Sequence, residues 1–279
     1  MFNKIINKYQ EVGFLGLFEA IINFSLTILF GLKIVKAGSI TRNRRALSIF
    51  KKRFLKKSDE GYHYLDPMPS ENELDIYYSN IYWDSRSGKD FGASSRDFVH
   101  YHLLNKYAKN FFIDKNKCIV NFGAGHGGIS NIFWFDGFDV VNIEPSGLPQ
   151  FYNERWKTYK SINEVPDKSV DFIYGSHSLE HVQDIHKFKK EVTRILKPNS
   201  LLFWEVPNAK NPNNGPIKNR IDIPHTYYFN TSFFENWFDE IFLNNSYNES
   251  HHIDINTIQN WEKYHDDDGS VIRSLGKIF

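Results

Sequence analysis

The sequence predicts an α/β protein on a doubly wound, mostly parallel sheet, with a helical extension at its N-terminus. Three observations predict it. From residue 96 onward, short apolar runs alternate with amphipathic stretches, the pattern of parallel βαβ units. A glycine-rich turn, "VNFGAGHGG" at 120–128, follows one apolar run and opens the next amphipathic stretch. In a doubly wound sheet such a turn lies where ligands bind, at the carboxyl ends of the strands. Finally, 279 residues with 41% hydrophobic and 24% charged content suffice for one large domain with an extension.

Three segments follow from the composition: an apolar helix and basic arm (1–57), a linking cap (58–95) and the α/β domain (96–279). Residues 12–32, "VGFLGLFEAIINFSLTILFGL", are nearly long and apolar enough to span a bilayer. Glu19, Asn23 and Thr27 recur every four residues, so a helix there carries a narrow polar stripe. That stripe favours a helix lying on a membrane surface. A packed or oligomer-forming helix and a true span are the alternatives. A signal peptide is disfavoured, because no small-residue cleavage site precedes the basic flank. Between Lys33 and Lys57 ten basic residues occur without an acidic one, so the arm is +10 although the chain is +1. Such a block is a solvated tail or contacts something anionic. Few aromatics interleave it, so no nucleic acid is expected as partner; an anionic membrane is the expected contact. The location expected is cytoplasmic, at the inner face of the membrane. A single cysteine, Cys118, excludes an internal disulfide and a Cys-rich zinc site.

The remaining elements follow in order. In the cap, a turn at Asp66–Pro69 precedes Ser70, with Glu73 three residues on, a capping box that opens a helix. Leu74, Tyr77, Tyr78 and Tyr82 continue it at helical spacing. "RDFVHYHLLNKYAKNFF" (96–112) reads as one helix, "CIVNF" (118–122) as a strand, and "GISNIFWFDGF" as a helix ended by Gly137. Strands follow at 139–144, 170–176 and 200–207. Between the last two, 184–197 is a helix with Asp184 as cap and Pro198 as stop.

Gly123, Gly125 and Gly128 spell G-x-G-x-x-G; Gly123, Gly125 and Gly127 spell G-x-G-x-G. Glu144 ends the next strand, where a carboxylate accepts hydrogen bonds from a ribose diol. Nicotinamide dinucleotide and S-adenosylmethionine both carry that ribose, so these residues leave the ligand open.

The stretch 170–208 narrows it. It carries Leu179-Glu180-His181 after one strand and Leu196-Lys197-Pro198-Asn199-Ser200 before the next, and continues through "IPHTYYFNTSFFENWF" (223–238) to a closing strand near "GSVIRSLGKIF". In this order it resembles the class I S-adenosylmethionine-dependent methyltransferases, in particular the group with an "LEH" turn. The resemblance implies a Rossmann-like sheet whose last strand is antiparallel, with S-adenosylmethionine as cofactor. It also implies cofactor contacts from Asn121, Gly123, Ala124, Gly125, Gly127, Glu144, Ser176 and His177. Asn121 stands where the family usually has an acid. The family's acidic residue near the adenine is not evident in "YKSINEV" (159–165). The N-terminal part is similar to methyltransferases encoded among bacterial surface-polysaccharide enzymes. This implies a small-molecule acceptor, most simply a hydroxyl of a sugar or of a phosphorylated or lipid-linked precursor of capsule or O-antigen. A quinone or lipid methyltransferase, a nucleic-acid-binding methyltransferase and a cofactor-binding scaffold are the competing readings.

Methyl transfer needs alignment of the acceptor and a proton acceptor for its hydroxyl, a task suited to histidine at neutral pH. The catalytic candidates are His181, in the "LEH" turn, and His225, in the acceptor-side loop across the cleft. His126 is expected only to line the pocket. Glu180 is expected to pair with a histidine or cap a helix, and Tyr227 and Tyr228 to pack in the core. "HHIDI" (251–255) and "HDDD" (265–268) have no specific metal spacing, so no metal site is expected.

Overall fold

The structure, a computed structural model, describes residues 25, 49–50, 53–78, 94–146, 156–218, 220–248 and 268–279. The expectations for 12–32, for most of the basic arm, for Tyr82 and for 251–255 and 265–267 lie outside these residues. Among the described residues no helix is long and apolar enough to cross a membrane.

The elements, in chain order, begin with β1 (Phe54–Lys57), β2 (Tyr62–Asp66) and α1 (Glu71–Tyr77). Then come α2 (Ser95–Tyr107), α3 (Lys109–Ile113), β3 (Cys118–Phe122), α4 (Gly128–Phe135), β4 (Asp139–Ile143) and β5 (Lys157–Tyr159). They continue with β6 (Val170–Ser176), α5 (Ile185–Ile195), β7 (Leu196–Pro207), α6 (Gly215–Lys218) and β8 (Tyr227–Phe229). The last are α7 (Thr231–Glu235), β9 (Glu240–Tyr247) and β10 (Val271–Lys277); single 3₁₀ turns lie at Ile162–Glu164 and Leu179–His181.

Seven strands form the main sheet, in the order β5-β4-β3-β6-β7-β10-β9. The pairs from β5 to β7 are parallel. β10 is antiparallel to both β7 and β9, so the last strand runs against the rest, as expected. The chain reverses its direction of winding at β3, between β4 and β6. The carboxyl ends of these strands therefore open a crevice.

Strand alternation builds two cores, one on each face. Phe172 and Tyr174 of β6 join Leu103, Leu104, Phe112, Ile129 and Phe133 under α2, α3 and α4. Ile173, one residue out of phase, joins Phe188, Val192 and Ile195 of α5 and Phe233 and Phe234 of α7 on the other face. α5 presents these residues at helical spacing, and Asp184 caps it by accepting from the amides of His186 and Lys187.

Three departures from the sequence reading have local causes. The helix expected over 96–112 is two helices, because Ala108 leaves helical geometry at φ −123° and ψ 35°. The strand expected at 200–207 already begins at Leu196, which pairs with Val170. The register then shifts before Phe172 meets Leu201, and Asn199 adopts φ +63° there. Pro198 is tolerated in the irregularity because no ladder hydrogen bond is asked of it. Third, the residues read as arm end and linking cap contain the hairpin β1–β2, which straddles the boundary expected at 57. β2 in turn pairs with β8. The capping box of Ser70 and Glu73 is present. Leu74 and Tyr77 of α1 pack with Phe50, Leu65 and Ile223 in a third cluster, which fixes the cap over the crevice.

Candidate active site

The glycine loop leaves β3 and turns back on itself with Gly123, Gly125 and Gly127 at φ +68°, +55° and +76°. Gly123 is pressed against Ser178, where an added Cβ would lie 2.4 Å from that residue's Cβ. Only glycine meets both demands. The loop is tied to the next strand, since the Gly123 amide donates to the Ile143 carbonyl at 2.9 Å. Glu144, just past β4, accepts from the Gly125 amide at 2.9 Å with one oxygen and from the Ser146 hydroxyl at 2.8 Å with the other. The Ser146 amide also donates to it at 3.1 Å, so of a carboxylate's about four lone-pair positions about one remains for a hydroxyl in the cleft.

The cleft measures about 1220 Å³ and is lined by Gly123, Gly125, His126, Glu144, Ser176, His177, His181 and His225, among others. It also takes in Ser161, Ile162 and Asn163 after β5, the segment in which no acid was evident. Glu164, the acid that this segment does carry, is occupied in capping the Ser161 amide at 3.0 Å.

Three of the expected cofactor residues do not line the cleft. Asn121 is buried and donates to the Ser130 hydroxyl at 2.8 Å, which donates on to Asn142 at 2.7 Å. Its amide joins β3 to β4 and α4 and is turned from the cleft. Ala124 is buried inside the turn. Gly127 lies under the Trp156 ring, which a Cβ would meet at 2.6 Å. Both shape the loop from behind.

His181 and His225, expected across the cleft from one another, are neighbours, with ring centroids 5.2 Å apart. Hydrogen bonds from Thr226 hold their loops together: its amide donates to the Glu180 carbonyl at 2.9 Å, and its hydroxyl proton is shared between the carbonyls of Glu180 and Val182 at 2.9 and 2.7 Å. The Glu180 side chain, 1% exposed, lies beneath the two rings. Its Oε1 is 3.4 Å from His177 Nδ1 and 3.8 Å from His181 Nε2. Burial alone would raise the Glu180 carboxyl; the charge of His181, then His177 and His225, outweighs it and keeps the group ionised well below its ordinary range. His177 shows the converse. Burial disfavours its charge, but its contacts with Glu180 and Glu205 outweigh that and raise its pKa.

Behind His177 is a centre that the sequence reading did not single out. Glu205 of β7 is fully buried and receives Arg273 Nε at 2.7 Å, His100 Nε2 at 2.7 Å and the Ser176 hydroxyl at 3.1 Å. His177 Nε2 is 3.4 Å from its other side. Its only sequence trace is a charge inside the apolar run "LLFWEVP", a position that demands a buried partner.

A sheet in this order, a glycine turn at its switch point and a carboxylate after the second parallel strand define a Rossmann-like fold with its cleft at the carboxyl ends of the strands. Comparison with known proteins makes it specific. The family described as "Methyltransferase domain" matches residues 96–247. The 2-methyl-6-phytyl-1,4-hydroquinone methyltransferase of Synechocystis sp. is 24% identical over 176 residues, 57% of this chain and 55% of that protein. The chain thus spans about half the length of this curated relative. Among solved structures, a SAM dependent methyltransferase from Archaeoglobus fulgidus is 16% identical at a TM-score of 0.45, covering 71% of this chain and 100% of that one. Phosphoethanolamine N-methyltransferase 2 of Haemonchus contortus, in complex with S-adenosyl-L-methionine, is 18% identical at a TM-score of 0.33, covering 39% and 28%. The chain belongs to the methyltransferase-domain family.

Proposed function

We propose that the chain is an S-adenosylmethionine-dependent methyltransferase that acts on a hydroxyl of a small molecule. The observation that carries the reading is the two-sided cleft: glycine loop and Glu144 on one wall, His181 and His225 together on the other. S-adenosylmethionine, when bound, supplies a methyl group already activated on a sulfonium. The protein's tasks are then to hold, orient and receive a proton. Gly123 and Gly125 let the backbone approach the cofactor, and Glu144 offers its remaining lone-pair position to a ribose hydroxyl. His181 and His225 face an acceptor hydroxyl and take its proton or fix its position.

A sugar, or a phosphorylated or lipid-linked precursor of surface polysaccharide, is the acceptor class proposed, on the resemblance of the N-terminal part. A quinone-type acceptor is the second reading, favoured by the hydroquinone methyltransferase among the relatives. Titration calorimetry with S-adenosylhomocysteine tests the cofactor wall. Glu144→Ala should weaken binding by about 1.5–3 kcal/mol, the loss of hydrogen bonds to a charged group. Tight NADH binding with no S-adenosylmethionine binding would overturn the reading. On the acceptor wall, His181→Ala should lower turnover by at least about 100-fold, the lower end of general-base catalysis, while the cofactor Kd shifts less than about tenfold, 1.4 kcal/mol.

A further inference from the structure

We infer that Glu180, His181 and His225 form a binding site for one divalent transition-metal ion on the acceptor wall of the cleft. The inference rests on the methyltransferase reading only for the ion's use, not for its binding.

The geometry comes first. One ligand atom from each residue lies within 4.8 Å of the others. Atoms so spaced lie no more than about 2.8 Å from a common centre, and a contraction of about 0.7 Å brings them to the ~2.0–2.2 Å of imidazole and carboxylate ligands around a divalent ion. The second observation is the carboxylate itself. Glu180 is 1% exposed, and neither oxygen makes a well-formed hydrogen bond. His177 and His181 offset the burial of its charge only at 3.4 and 3.8 Å, and a cation bound directly to the carboxylate would offset it more fully.

The surroundings fit. Thr226 bonds to the backbone of both Glu180 and Val182, at 2.9 and 2.7 Å, so the loop bearing His225 is held to the turn bearing the other two ligands. His177 faces Glu180 with one ring nitrogen and Glu205 with the other, as an outer-sphere group that orients a ligand carboxylate does. Two imidazoles and one carboxylate suit Zn²⁺, Fe²⁺, Co²⁺ or Mn²⁺ better than Mg²⁺ or Ca²⁺. Three protein ligands leave coordination positions vacant, the mark of a catalytic rather than a structural site. All three residues line the cleft, so those positions are open to an acceptor. With the ion bound, His181 and His225 are its ligands and no longer take the proton themselves; a hydroxyl coordinated there instead loses its proton to water more readily, and its oxygen lone pair is then available to the methyl carbon.

The test uses untagged full-length chain, stripped with chelator and titrated with Zn²⁺ and, separately, Mn²⁺, followed by calorimetry and by the loss of free Mn²⁺ electron-spin resonance. One equivalent should bind. Glu180→Gln and His225→Ala should each weaken it by about 100-fold or more, since outer-sphere losses alone run to about 10–100-fold. His177→Gln should weaken it by about tenfold, and Cys118→Ser should not change it. Circular dichroism confirms folding; should Glu180→Gln unfold, His181→Asn takes its place. Binding below one equivalent, or unaltered by these substitutions, overturns the site. S-adenosylhomocysteine titrated into the same samples separates the two readings. Cofactor binding without metal sinks only the site, whereas metal binding without cofactor sinks the function and leaves the site standing.

Discussion

At the scale of single residues, Glu205 is the side chain on which most of the buried charge depends. Arg273, 5% exposed, has its Nε on Glu205 at 2.7 Å. Removing the carboxylate charge strands that guanidinium, and breaking a buried pair by removing one partner costs about 3–5 kcal/mol. Glu205→Gln should therefore lose about that much stability in urea denaturation; a loss under about 1 kcal/mol would mean that the network is dispensable. The same carboxyl sets a pH dependence. Burial would raise its pKa, but the charges of His100 and Arg273 outweigh this and hold it well below the ordinary 4.5. The folded state thus takes up this proton less readily than the unfolded chain. Its stabilisation is full above pH 4.5 and is lost as pH falls through the depressed folded value. Acid titration of stability should be flatter in Glu205→Gln than in the wild type. Cys118 makes the opposite kind of residue. Burial, then Asp139 and Asp171, pushes its thiol up to about 11. Little thiolate exists at pH 8, so the native protein should react with iodoacetamide far more slowly than the unfolded chain; equal rates would show the thiol to be open.

At the scale of elements, what could be read from the sequence depended on burial. β3 and β6 have the bounds expected, because their apolar residues fill both cores despite Asn121 and Asp171 among them. β1 could not be read. Phe54 is 69% exposed, and the strand continues with Lys56 and Lys57, the blunting expected of an edge strand. It forms because β2 pairs with it, a partner that periodicity does not reveal. The site divides likewise. The glycine loop and Glu144 were legible as a local motif. The meeting of His181 with His225 was not, because 44 residues of chain separate them and the Thr226 hydrogen bonds that join them are tertiary. The loop invites a paired test. Gly123→Ala puts a Cβ on Ser178 at φ +68°, so the loop must shift and cofactor binding should fall at least tenfold. Gly137→Ala, at φ +96° and with nothing nearer than 3.9 Å, should cost about 1 kcal/mol or more of stability through its left-handed backbone and leave binding unchanged. Equal effects on binding would show that the loop's conformation is not what holds the cofactor.

At the scale of the whole molecule, the structure decides where the basic arm can be separated from the domain. A cut after residue 57 would remove β1 and Phe50, which is 2% exposed against Tyr77. It would also remove Arg53, which donates to the carbonyls of Ile49 and Pro67 and to Glu73 at 2.8, 2.6 and 2.8 Å. A cut after residue 48 spares all of these. It still removes the apolar stretch 12–32 and five of the arm's ten basic residues, Lys33, Lys36, Arg42, Arg44 and Arg45. Each basic residue near an anionic membrane is worth about 1 kcal/mol, so two or three in contact account for a 30- to 150-fold change in partition, at about 1.4 kcal/mol per factor of ten. Full-length protein should co-sediment with phosphatidylglycerol vesicles at low salt, and the protein lacking residues 1–48 should not, while both bind S-adenosylhomocysteine equally. A full-length variant with those five residues changed to Gln separates the two contributions: charge attraction predicts its release, and insertion of the apolar stretch predicts retention that survives high salt. Full-length protein that ignores the vesicles, or a truncated form that sediments as well as the intact chain, would refute the membrane contact and leave residues 1–48 to packing or self-association.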